Sequence, residues 1–149
     1  MLSMSGFDLG FVIFNVTRVR KCYTQDYSGY ADILLYESLS AFHAGNTTEA
    51  RALFNATVRF WDSAGIADAT FVNPSDAQYQ RHATSKLALL LYVSQKLNVN
   101  LPFWNDAVET IWRMQDPNGG IITNYAEPKT PNGIANTETT AIVLLAIAT

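Results

Sequence analysis

The sequence predicts an all-α protein of helical hairpins, in which helices alternate between an inner and an outer position. Three observations carry this expectation. Apolar stripes of helical spacing alternate in width along the chain, glycine and proline punctuate them, and one stretch repeats another at a fixed offset.

Residues 1–28 form a poorly defined amino-terminal segment, where Phe11, Val12, Ile13, Phe14, Val16 and Val19 fit a short helix or a strand and are read as helix. Ser28 and Gly29 end it. Tyr30 to Ala44 then presents a broad apolar face through Ile33, Leu34, Leu35, Tyr36, Leu39 and Phe42, closed by Gly45 at a C′ position. Asn46 and Glu49 make a capping box, which opens an amphipathic helix with Ala50, Leu53, Phe54, Thr57, Val58 and Trp61 on one side.

Tyr79 to Leu97 is the next helix, apolar all round from Leu87 to Val93 and therefore expected to be buried on more than one side. Pro102 opens a second amphipathic helix, whose stripe is Trp104, Ala107, Val108, Ile111 and Trp112. It ends near Gln115, because Pro117 cannot continue a helix and Gly119 and Gly120 accept positive φ. Asn136 caps the last helix, Thr137 to Thr149, again apolar all round and expected to be buried. Broad faces alternating with narrow ones are what two concentric layers produce.

Composition narrows the function classes. The chain has 149 residues with 48% apolar, enough for one domain with a sizeable core, while charged residues reach only 15%. A net charge of −3 with scattered basic residues gives no footprint for nucleic acid. No apolar run approaches the roughly 18 residues of a membrane span. The single Cys22 excludes an internal disulfide, and His43 and His82 lie too far apart for a short metal motif and are expected at the surface or at caps. No metal or cofactor is predicted. The amino end makes a poor secretory signal, yet Asn15, Asn46 and Asn55 each begin a glycosylation sequon. Low charge and these sequons point to an extracellular or cell-surface protein.

The repeat sets the Gly65-Ile66 turn against Gly120-Ile121, 55 positions on, and Ala88 against Ala141, 53 positions on. Gln115-x-x-x-Gly119-Gly120 followed by Thr137-Glu-Thr-Thr-Ala141 resembles the repeat of the α/α-toroid proteins: terpenoid cyclases, protein prenyltransferase β-subunits, complement-type thioester domains, and the glycosidases of six helical hairpins that share their architecture. The resemblance covers residues 30–149 and implies an incomplete α/α toroid, a fragment of a larger ring whose open edge is covered by self-association or by the rest of the toroid. It departs from the cyclases in having Ile121 where an aromatic stands and no Asp-x-Asp-Asp motif, and it lacks the thioester sequence and the prenyltransferase zinc set.

In such a ring the outer-to-inner loops converge on one mouth. Asp68 and Glu138 are the expected catalytic pair if the protein hydrolyses glycosidic bonds, one carboxyl acting as acid and the other as base or nucleophile. Tyr79, Asn124, Tyr125 and Asn136 are the expected substrate contacts, with the two tyrosines as stacking platforms and a polysaccharide or oligosaccharide as partner. Plainer roles exist: Glu138 as an anion at a helix amino end, Asp68 as a turn residue, and Trp61, Trp104 and Trp112 as core between layers. The expected function is a carbohydrate-active or carbohydrate-binding toroid; the alternatives are a non-enzymatic interaction scaffold and an isoprenoid-handling enzyme.

Overall fold

The computed structural model describes residues 27–70, 81–126 and 129–147. The helix expected within residues 11–21 lies outside the described residues, as does the loop residue Tyr79. The described chain is mostly helical: α1 (Ala31–His43), α2 (Thr47–Val58), α3 (Thr84–Lys96), α4 (Trp104–Arg113) and α5 (Thr137–Ile147). Short strands link them: β1 (His82–Ala83), β2 (Ile121–Ile122), β3 (Asn124–Ala126), β4 (Thr130–Pro131) and β5 (Ala135–Asn136). All pairings are antiparallel, in the orders β1-β3-β4 and β2-β5. No helix among the described residues is long and apolar enough to cross a membrane.

Helix α3 packs against each of the other four helices. Its all-round apolar sequence is satisfied in that position: Leu87, Ala88, Leu90, Leu91 and Val93 are fully buried. Its first residue is Thr84, because the residues just before it are extended and pair with β3, His82 opposite Tyr125. The amphipathic helices α2 and α4 bury one stripe each, around Phe54 and Ile111 respectively, and expose their charged side. Of the three tryptophans expected in the core, Trp61 and Trp104 are half-buried and Trp112 is exposed. Helix α5 also departs from expectation. Val143 and Ala146 are buried, whereas Leu144 is 62% and Leu145 54% exposed.

The local signals at α2 hold. Gly45 has φ +81°, and the amide of Asn46 donates to Ala41 O at 2.9 Å, closing α1 as a left-handed C-terminal cap does. Asn46 Oδ1 accepts from the Glu49 amide at 3.2 Å, and its Nδ2 donates to Glu49 Oε2 at 2.6 Å. The reciprocal half of the box therefore runs between side chains, since the Asn46 amide is already used by α1. Asn46→Ala is expected to cost about 1 kcal/mol, a typical N-cap loss, measured as a lower midpoint in urea.

The repeated turn is visible in its hydrogen bonds. After α2, Asp62 N donates to Gly65 O at 3.1 Å, Ala67 N donates to Phe60 O at 2.9 Å, and Trp61 bridges Ile66. After α4, Asp116 N donates to Gly120 O at 2.7 Å, Ile122 N donates to Met114 O at 2.8 Å, and Gln115 bridges Ile121. Each turn is steadied by its aspartate: Asp62 Oδ1 accepts from Ala64 N at 3.0 Å and Gly65 N at 2.9 Å, and Asp116 Oδ1 accepts from Asn118 N at 2.9 Å.

Candidate functional site

Helices α1, α3 and α5 begin beside one another around a small cleft of about 90 Å³, lined by Asp32, Tyr36, Ser85, Lys86, Leu89 and Glu138 among others. Each charged group here sits in the first turn of its helix. Asp32 and Glu138 are anions where the helix dipole favours them. Lys86 is a cation in the same position on α3, where the dipole disfavours it, so a local partner must compensate.

That partner is Asp68. Lys86 Nζ donates to Asp68 Oδ2 at 2.5 Å and to Thr70 Oγ1 at 2.7 Å, and lies 3.6 Å from Asp32 Oδ1. Asp68 also accepts from the Ala31 amide at 2.9 Å and from the Thr70 amide and hydroxyl at 3.0 and 2.6 Å. Burial by itself would raise the Asp68 carboxyl, but Lys86, the Thr70 hydroxyl and the two amides outweigh it and hold it below the usual carboxylate range. Tying Ala31 N, at the start of α1, to the turn after α2 and to α3 makes this aspartate a junction of three elements.

The expected catalytic pair is therefore divided in role. Glu138 is exposed and lines the cleft, whereas Asp68 is only 6% exposed beneath it. A general acid must be protonated near its working pH, and a carboxyl held down by an ammonium and three further donors is the opposite of that. The other expected contacts also disperse. Tyr125 is fully buried, its hydroxyl donating to Ala64 O at 3.0 Å and its ring 5.1 Å from that of His82, so it offers no stacking face. Burial first, and the charge of Asp62 second, push its hydroxyl above the ordinary phenol range. Asn124 is half-buried on β3 and donates to Thr123 Oγ1 at 3.0 Å.

Asn136 caps α5, its Oδ1 accepting from Thr139 N at 2.8 Å, and lines a neighbouring open groove with Gly120 and Leu144. His43 is exposed as expected, but His82 is 1% exposed: it lies within an interior cluster with Tyr125, its Nε2 3.6 Å from Asp62. Of the sequons, Asn46 and Asn55 are exposed and Asn15 lies outside the described residues.

Asp32, Tyr36, Ser85 and Lys86 were missed from sequence. One signal was present: Lys86 is the only charged residue between Thr84 and Gln95 of an otherwise apolar helix, and a cation there needs a partner. No group of three or more His, Cys, Asp or Glu among the described residues could hold a metal ion. No protein-family model, curated protein or solved structure matches the chain.

Proposed function

We propose that the protein binds carbohydrate at the cleft where α1, α3 and α5 begin, on a scaffold of α/α hairpins arranged in the toroid manner its sequence resembles. The observation that carries this reading is the convergence of Asp32, Lys86 and Glu138 beside Tyr36, which is 52% exposed. Neighbouring sugar hydroxyls donate to carboxylates and accept from an ammonium, and the apolar face of a sugar ring packs on an exposed phenol ring. Asp32, Asp68 and Glu138 outweigh Lys86 in charge, which favours neutral or amino sugars over uronic acids. Binding fits better than hydrolysis, because Asp68 is committed to Lys86. The exposure of Asn46 and Asn55 agrees with an extracellular setting. A mouth open to water and rimmed by charge does not suit an isoprenoid.

The test is calorimetric titration with soluble cello-, xylo- and chito-oligosaccharides. Saturable binding of one series is expected, weakened about tenfold or more by Tyr36→Ala and by Glu138→Gln with the melting temperature held, because both side chains are exposed. Absence of binding across all three series, or binding indifferent to both substitutions, would refute the reading.

A further inference from the structure

Helices α1 and α3 close in the same way. After α1 the Gly45 amide donates to Phe42 O at 3.0 Å and the Asn46 amide to Ala41 O at 2.9 Å, around a left-handed Gly45. After α3 the Asn98 amide donates to Gln95 O at 3.0 Å and the Val99 amide to Ser94 O at 2.9 Å, and the left-handed residue, with φ +50°, is Asn98. Glycine is the residue that such a position favours, so the turn alone does not call for an asparagine. A side chain held in a sparsely populated backbone region points to a use for that side chain.

The use is offered by the pocket beside it. Its volume is about 360 Å³, against about 90 Å³ for the cleft at the start of α3, and small-molecule sites span roughly 300–1,000 Å³. Ser94 and Gln95 of the last turn of α3, Asn98, Val99 and Asn100 of the connection, and Trp104 at the start of α4 line it. None of them is charged, and the carboxyl end of a helix disfavours an anion. The connection is pinned at both ends: Arg51 of α2 donates to Leu97 O at 2.8 Å, and the Trp104 amide donates to Leu101 O at 3.1 Å. Asn98 and Asn100 are exposed, and neither side chain is hydrogen-bonded to another described residue.

We propose that this pocket binds a neutral saccharide, as a second site at the far end of α3 from the cleft. A side-chain amide sets a donor beside an acceptor, which matches neighbouring sugar hydroxyls, and the half-buried Trp104 indole gives the C–H side of a sugar ring an apolar wall. Lys86 and Gln95 are separated by about 14 Å of helix, so each site can be altered without the other.

The test is an NMR titration of the isotope-labelled full chain with cellobiose, maltose and lactose, read at the side-chain amides of Asn98 and Asn100 and at the Trp104 indole N–H. Saturable shifts at all three groups are expected with at least one disaccharide below about 10 mM. Asn98→Gly, read at Asn100 and Trp104, should weaken binding at least about tenfold while the melting temperature is held or raised, because glycine suits the turn. A purely structural Asn98 would move the melting temperature and leave binding alone. Asn100→Ala, at an exposed position, should weaken binding to a similar degree. The proposal is overturned if no disaccharide shifts these resonances saturably, or if both variants bind as the parent does. Tyr36→Ala and Glu138→Gln should leave the shifts unchanged, which separates this site from the cleft; loss of the shifts in those variants would also overturn it, because the sugar would then be held at the cleft.

Discussion

Replacing Asp68 by alanine is expected to destabilise the fold by about 3–5 kcal/mol, the loss that follows when one partner of a buried ion pair is removed and the other is left in place. Lys86, 8% exposed, would keep only the Thr70 hydroxyl at 2.7 Å and Asp32 at 3.6 Å, and the Ala31 amide would lose its acceptor at the start of α1. Urea denaturation at neutral pH measures the loss. Adding Lys86→Met to Asp68→Ala should restore part of it, since the pair is then replaced by apolar volume; a double variant no more stable than Asp68→Ala would contradict the pairing account.

The pH dependence follows from the same group. The Asp68 carboxyl is lowered on folding, so its contribution is complete above the unfolded value near 3.9 and is lost as pH falls through the folded value. Stability of the parent should therefore fall on acidification below about pH 4. Asp68→Asn should flatten that limb while lowering the neutral plateau.

The second large effect belongs to Gly65. A β-carbon there would stand 2.2 Å from the Tyr125 hydroxyl oxygen and 2.7 Å from the His82 ring. Tyr125 is fully buried and His82 nearly so, and the tyrosine hydroxyl is tied to Ala64 O, so neither ring has free space to move into. Gly65→Ala should cost about 3 kcal/mol or more, at or above the upper end of ordinary overpacking. Gly45→Ala is the informative control, because nothing stands within 4 Å of its added carbon and the loss there comes only from its φ of +81°. A Gly65 variant no less stable than the Gly45 variant would rule out the steric account.

The helices were legible because their cause is local. Asn46, Gly45, Pro117 and the apolar stripes act within a few residues, and the described helices end close to where these place them; the start of α3 differs, at Thr84 rather than Tyr79, because His82 and Ala83 are extended. The repeat was legible for the same reason, in the two Gly-Ile turns. The short strands were not, since two or three residues carry no period; they exist because successive connections bring His82 beside Tyr125 and because the α4–α5 connection folds Ile121 beside Asn136.

The site was legible only in part. Glu138 lines a small cleft at the start of α5, but Asp68 and Tyr125, expected at the mouth because they sit in loops, are buried, and loop membership says nothing of depth. Asp68 is drawn inward by Lys86, 18 positions away, and Tyr125 by Ala64, 61 positions away. Long-range pairs of this kind leave no trace in spacing. Exposure of α5 was missed for a related reason: an all-round apolar helix states that it wants cover, not which element supplies it.

The two turns are closed by main-chain groups, with an aspartate side chain steadying each and glycine-isoleucine at the bend. A bend specified in this way leaves the residue two places beyond the isoleucine free of any part in making it. One copy carries Asp68 at that place and has built an ion pair on it; the other carries Thr123, whose main chain meets Thr84 N and Ile134 O. A duplicated hairpin can thus diverge in side-chain chemistry in one copy while the other keeps its path. The turn itself therefore sets no requirement on the side chain at this position, while the ion pair that Asp68 makes with Lys86 has become part of what holds the first copy to its neighbours.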